Sequence, residues 1–241
     1  MSDRDAEPAR PDDIRATTAR RTRKRDRMDT DRSETLTAGI DVTFPEYLSP
    51  PAEPLGLLRG WLESAEARGV REPRALALAT ADARGRSSLR TVVLNRVTAT
   101  GIVFATHDGS RKGRELRANP WASGLLYWRE TGQQISLAGP VRRLPDSECD
   151  ALWAARPVFT HAMTVSSRQS EPLGDPADVA RLRARAETVG SQGPQPRPAA
   201  YVGFEIACES VEFWADGTRR LHERLRYDRT AEGWSAVRLQ P

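Results

Sequence analysis

The sequence predicts a mainly β fold, a β-barrel with peripheral helices. Short runs of period-two hydrophobic alternation recur between Ala75 and Leu239, most of them bounded by Gly, Pro or Asp. A few helical patterns interrupt them without the regular strand–helix alternation of a doubly wound sheet. No internal repeat is present.

Taking the chain in order, residues 1–40 are rich in Arg, Asp, Thr and Ser and almost free of large apolar side chains. They cannot offset their ordering entropy by burial, so they are expected as a disordered Arg-rich tail, with 41–241 as one folded domain. From Pro54 to Arg68, Leu57, Leu58, Trp61, Leu62 and Ala65 fall at helical spacing, and Gly69 follows as a C-terminal cap. The period then changes to two. Ala75–Thr80, Leu89–Leu94 and Gly101–Thr106 read as strands, with a turn at Asp82–Gly85. Ser110–Leu116 reads as a short helix with Ser110 as N-cap. Gly124–Trp128 is a fourth strand, and Gln133–Ala138 a fifth that continues past Gly139-Pro140. Helices follow over 145–156 and 178–189, separated by a polar, turn-rich stretch from Gln169 to Pro176 and followed by a Pro-rich connector. Tyr201–Ile206, Ser210–Trp214 and Gly233–Leu239 complete the strands.

The composition excludes some functions. At 241 residues the chain buries a real core, and no apolar run has the length of a membrane helix or a signal-peptide core. Cytoplasm is the expected location. Cys149 and Cys208 have neither metal spacing nor a disulfide framework and are expected as buried thiols. The net charge of +4 and the basic cluster at 20–27 invite a nucleic-acid reading, but acidic residues punctuate the whole tail, which argues against one. Of 37 basic residues only Lys24 and Lys112 are lysine. Lys112 is therefore a candidate for a compact ammonium at one point of a site.

Ser110-Arg111-Lys112 at a helix start combines backbone amides, the positive dipole end and two cations, which together form a phosphate or carboxylate cradle. Cations there oppose the dipole, a conflict that an anion would relieve. In the hairpin from Glu212 to Arg224, Arg220, His222 and Arg224 fall at period two, which on a strand puts all three on one face, with Trp214 beside them. Such a face suits a planar anion, and a solvated hairpin edge fits the same residues. Arg90 is likewise either a site residue or an arginine on the wet side of its strand. No Gly-rich phosphate loop, zinc motif, Gly-flanked serine or carboxylate pair is present, and the three histidines are scattered. Elimination points to chemistry carried by a cofactor.

In order and spacing, Leu89–Leu94, Phe104-Ala105-Thr106, Gly109–Lys112, Gln134, Ser167–Ser170, Glu212-Phe213-Trp214 and Arg220–Arg224 resemble the pyridoxamine 5′-phosphate oxidase family. The resemblance runs from about Phe44 to Pro241. It implies an FMN-binding split β-barrel, a homodimer with FMN at the subunit interface. It also implies that Arg90, Arg111, Lys112, Gln169 and Ser170 surround the FMN phosphate and ribityl chain. Thr91, Val92, Val93, Leu94, Ala105, Thr106, Ser110, Gln134, Trp214 and Arg224 would complete the cofactor pocket. Arg156, Thr160, Arg220 and His222 would face the substrate, with Arg220 and His222 closest to the chemistry.

Two departures fall on the family's substrate-phosphate clamp. Its lysine is Asn95 here and its tyrosine is Leu152. Losing a cation and a hydroxyl removes hydrogen bonds worth about 1–3 kcal/mol each, together two or more orders of magnitude in affinity for a phosphate ester, as an order-of-magnitude figure. Phe44–Tyr47, Arg71–Leu78, Asn119–Gly124, Tyr127–Glu130 and Leu221–Arg229 are similar to a narrower branch, the flavin oxidases of phenazine biosynthesis. That resemblance implies oxidation of a reduced aromatic carboxylate with electrons passing to O2 and release of H2O2. Two alternatives are a true pyridoxamine 5′-phosphate oxidase and a flavin-binding protein without turnover.

Overall fold

The alternation read from the sequence closes into a barrel. The structure, a computed structural model, describes residues 39–217 and 221–241. The expected tail lies outside the described residues except for Gly39 and Ile40, and so does Arg220. Strands β1 (Ala75–Ala81), β2 (Ser87–Val97), β3 (Gly101–His107), β4 (Trp121–Trp128), β5 (Gln133–Arg143) and β6 (Tyr201–Ala207) form an antiparallel barrel in the order β4-β1-β2-β3-β6-β5, closed by β4 on β5. Strands β7 (Ser210–Ala215), β8 (Glu223–Thr230) and β9 (Gly233–Leu239) extend the sheet outward from β5.

Two irregularities shape the barrel. Residues 133–138 of β5 pair with β7, whereas Val141–Arg143 pair with β6. The corner between them is Gly139-Pro140, where a Cβ on Gly139 would stand 1.8 Å from the Ala207 carbonyl oxygen. Only glycine allows that approach. In β2 the register against β3 shifts between Leu94 and Arg96. A bulge of this kind re-aims a side chain, and here it falls on Asn95.

Helices lie around the barrel as expected. Helix α1 (Pro54–Ala67) buries Leu57, Leu58, Trp61, Leu62 and Ala65 and ends before Gly69, whose φ is +71°. Trp61 packs edge-on against Phe44 (centroids 4.8 Å) and Phe213 (5.2 Å), and Phe213 meets Tyr227 at 6.1 Å. This aromatic cluster joins α1 to the β7–β8 extension. Helix α2 (Arg111–Ala118) starts at its Ser110 cap, whose Oγ accepts from the Gly113 N–H at 3.2 Å. Helices α3 (Asp146–Ala154) and α5 (Pro176–Gly190) match the expected pair, and the Asp175–Asp178 capping box moves the start of α5 forward to Pro176.

Three features depart from the sequence reading. A 3-10 turn at Val158–Thr160 and helix α4 (His161–Ser166) fill a stretch too short and too Ser/Thr-rich to show periodicity. Stacking of His161 on Trp153 at 4.1 Å holds α4 in place. Strand β8 begins at Glu223, so His222 precedes it and does not share a strand face with Arg224 as expected. Both cysteines are buried thiols, and burial pushes Cys208 up to about 12. Among the described residues no helix is long and apolar enough to cross a membrane.

Phe213 is fully buried where the aromatic cluster meets the barrel extension. Phe213→Ala is expected to cost about 3–5 kcal/mol, read as a lower midpoint in urea unfolding with little change in slope. A cost below about 1 kcal/mol would contradict this role.

Candidate functional site

The sheet carries two clefts on one face. Cross-strand partners share a face, and the register runs Thr91–Ala77–Leu125–Ser136–Glu212–Arg226 across β2, β1, β4, β5, β7 and β8. Between the clefts this outer face carries small and apolar side chains, with Thr91 and Ser123 among them. Ala75, Ala77 and Ala79 of β1 lie between exposed Leu89 and Val93 of β2 and exposed Trp121 and Tyr127 of β4.

The larger cleft, about 470 Å³, opens at the β2 edge. Thr91, Val92, Val93 and the bulged Asn95 form one wall, Ala105, Thr106, His107, Lys112 and Gln169 a second, and Leu152, Arg156 and Thr160 the helical side. Ten residues singled out from the sequence thus line one cavity: Thr91, Val92, Val93, Asn95, Ala105, Thr106, Lys112, Arg156, Thr160 and Gln169. Leu94 does not. Its side chain is buried in the core, and its N–H donates to the Arg74 carbonyl at 2.9 Å.

Lys112 sets the electrostatics of this cleft. Its ammonium is buried and donates to Thr106 Oγ1 at 3.0 Å and Gln169 Oε1 at 3.1 Å, both neutral oxygens. Burial, followed by the Arg90 charge, lowers its pKa to about 8, although Glu115 pulls the other way. A buried cation with only neutral partners fits an anion. The tight turn into α2 brings it there, since a Cβ on Gly113 would lie 2.2 Å from the Asp108 carbonyl oxygen. Beside Lys112, the Arg111 N–H donates to Ser170 Oγ at 3.1 Å, and Ser170 holds a φ of +72°, strained for a residue with a side chain. Arg90 lies behind the cleft on Glu115 at 3.2 Å, and Arg111 joins the same carboxylate at 2.8 Å. Arg90 is therefore not on the wet side of its strand.

At the helical end, Arg156 donates from Nε to Thr160 Oγ1 at 3.1 Å, and its guanidinium carbon lies 5.4 Å and 5.1 Å from the rings of Trp153 and Tyr201. His107, which the sequence left among scattered histidines, lines the same cleft. Burial lowers its pKa, helped by the charges of Arg156 and Lys112. Tyr201, its register partner on β6, also lines the cleft, and burial raises its pKa against the opposing charge of Arg156. No sequence spacing links 107, 156 and 201; the β3–β6 register pairs His107 with Tyr201, and Arg156 joins them by packing over the Tyr201 ring.

The smaller cleft, about 210 Å³, opens at the other edge and is lined by Leu125, Gln134, Ser136, Glu212, Trp214 and Arg224. Glu212 holds Arg224 at 2.8 Å, and the Gln240 carbonyl accepts from Arg224 Nη1 at 3.0 Å. The His222 ring lies 4.8 Å from Trp214, with Nδ1 3.2 Å from Asp216 Oδ1. Within one chain, Gln134, Trp214, His222 and Arg224 therefore sit apart from Lys112 and Arg156.

Comparison with known proteins places this architecture among enzymes of a flavin-dependent oxidoreductase family. The family profile for pyridoxamine 5′-phosphate oxidase matches residues 62–215, and that for the pyridoxine 5′-phosphate oxidase C-terminal dimerisation region matches residues 201–241. The chain belongs to the pyridoxamine 5′-phosphate oxidase family. It is 57% identical over 210 residues to a dihydrophenazinedicarboxylate synthase of Pseudomonas chlororaphis, covering 87% of this chain and 93% of that one. It is 41% identical to a pyridoxine/pyridoxamine 5′-phosphate oxidase of Gluconobacter oxydans, over 79% of this chain and 95% of the other. The crystal structure of PhzG from Burkholderia lata in complex with tetrahydrophenazine-1-carboxylic acid superposes with a TM-score of 0.81 at 48% identity, covering 85% of this chain and all of that one (100%).

Because Lys112 titrates near 8, the affinity of a phosphate monoester is expected to fall as pH rises through that value. Lys112→Met should weaken binding by roughly 1.5–3 kcal/mol and flatten the profile. Calorimetric titration one pH unit either side of 8 tests this, and a flat wild-type profile would contradict it.

Proposed function

We propose that the protein is an FMN-dependent oxidase of reduced phenazine carboxylic acids. The observation that carries this reading is the division of the site. Two clefts of complementary content open at opposite edges of one apolar face, and the chain carries the family's dimerisation region. Pairing two copies through that face brings the cation cleft of one against the Gln134–Trp214–Arg224 cleft of the other, so that each cofactor is held by both chains. Lys112, Arg111 and Arg90 would hold the FMN phosphate, with Thr106, Gln169 and Ser170 along the ribityl chain. The partner's Gln134, Trp214 and Arg224 would border the ring system.

When bound, FMN would supply the hydride acceptor for the reduced ring, with O2 as the final acceptor of the two electrons and, with two protons, released as H2O2. The protein's part is to bind and orient. Arg156, braced by Thr160 and two aromatic faces, meets a substrate carboxylate. Asn95 and Leu152 line the same cleft where the family's phosphate clamp has a lysine and a tyrosine. An apolar side chain and a neutral amide favour a flat carboxylate over a phosphate ester. His222, whose Nδ1 accepts from the Gly217 N–H at 3.4 Å, and Arg220 would complete the substrate side from the partner chain. Relatives named for dihydrophenazinedicarboxylate synthesis at 57% and 49% identity, against 41% for a vitamin B6 oxidase, support the same choice.

The test is turnover of the holoprotein on two substrates. A reduced phenazine dicarboxylate should consume O2 at least about two orders of magnitude more efficiently than pyridoxine 5′-phosphate, the value of two lost charge-assisted contacts. Restoring both with Asn95→Lys and Leu152→Tyr should raise turnover of the phosphate ester. Efficient oxidation of pyridoxine 5′-phosphate by the unaltered protein would replace this reading with that of a B6 oxidase. Bound FMN without O2 consumption would leave a flavin-binding protein.

A further inference from the structure

The cation cluster contains a carboxylate that the binding of a phosphate does not by itself call for. Glu115 is buried, and its two oxygens serve four neighbours. Oε2 accepts from Thr80 Oγ1 at 2.5 Å, Ser88 Oγ at 2.6 Å and Arg90 Nη2 at 3.2 Å, while Oε1 accepts from Arg111 Nε at 2.8 Å. Thr80 and Ser88 are register partners on β1 and β2. One side chain of α2 therefore ties the helix to two strands and to two of the three cations. Burial would raise the pKa of Glu115, but the bonds from Ser88, Thr80, Arg111 and Arg90 outweigh it and hold the acid at about 2. It is anionic at any working pH.

Placing a carboxylate among cations that must receive an anion costs attraction, so it must supply something else. Two guanidiniums and an ammonium repel one another; Arg90 is also held by the Leu78 carbonyl, Thr80 Oγ1 and Ser88 Oγ, whereas the Arg111 guanidinium, without Glu115, would swing toward water. Glu115 fixes both by directed bonds to one carboxylate. It also adjusts the charge. Arg90, Arg111 and Lys112 less Glu115 leave two positive charges, and among the described residues no other carboxylate pairs with these cations. A phosphate monoester carries about −1.5 to −2 at neutral pH.

We propose that Glu115 is the positioning residue of the phosphate cradle, holding Arg90 and Arg111 in place and matching the cluster's charge to a phosphate monoester dianion. This rests on the reading that an FMN phosphate occupies the larger cleft. In Glu115→Gln the amide keeps the size, but its NH2 turns a donor toward hydroxyl or guanidinium donors. A purely structural Glu115 would affect every flavin alike, whereas a positioning residue acts only through the phosphate.

The test is fluorescence titration of the flavin-free protein with FMN and with riboflavin, which lacks the phosphate. Glu115→Gln should weaken FMN at least about tenfold and leave riboflavin unchanged, so the FMN preference falls by that factor. Glu115→Asp, which keeps the charge but shortens its reach to Arg90 and Arg111 by one methylene, should lower the same preference by a smaller factor. The Glu115→Asp comparison still decides the matter should Glu115→Gln not fold. Equal or tighter FMN binding by Glu115→Gln would overturn the proposal, as would equal weakening of both flavins. If the unaltered protein does not prefer FMN over riboflavin, the phosphate assignment fails with it; if it does and the variants match it, only the role of Glu115 fails.

Discussion

Strand β5 has to serve two sheets, and the molecule is arranged around that constraint. Its first half lies between β4 and β7, and its second half turns onto β6 to close the barrel. The turn is possible because the chain passes the Ala207 carbonyl without a side chain at Gly139. Closure buries the interior residues Leu76, Leu78, Leu126 and Ile135. The same turn leaves the first half of β5 free to continue into β7 and β8, carrying Trp214 and Arg224 away from the cation cleft. The separation of the two clefts is a consequence of how the barrel closes.

The cation cleft shows how a binding site shifts its own stability costs. A buried ammonium among neutral oxygens is unfavourable, and the lowered pKa of Lys112 records this. Deprotonation of Lys112 removes the penalty and the attraction for an anion together. The arginines meet the same problem differently, since they cannot lose their charge and are held by Glu115 instead. One end of the cleft is thus a strained cation and the other a braced one, Arg156 between aromatic faces.

Much of this was legible in the sequence, for reasons that can be named. Period-two runs fixed the strands, and the Ser110 cap and Gly69 fixed helix ends, because these signals are local. The conflict at the start of α2 was visible because a cap followed by two cations is a local signal. His107 and Tyr201 were not legible as site residues, because the β3–β6 register pairs them and only tertiary packing brings Arg156 over the Tyr201 ring. Glu115 lies four residues after Arg111 on a helix, so half of its role could have been read, but its bonds to Thr80 and Ser88 depend on packing. The period-two reading failed at His222 because the return strand starts at Glu223, after the turn has already placed His222 against Asp216 and Trp214.

The division of each site between two chains is tested most directly by complementation. Lys112→Met impairs the cleft of one chain and Arg224→Met the cleft that its partner supplies, so each variant alone should retain little FMN. Refolding the two together gives mixed dimers in which one of the two sites has both halves intact. Recovery of FMN binding approaching one flavin per mixed dimer is the expected result. No recovery in dimers shown to be mixed would mean that each chain builds its site alone.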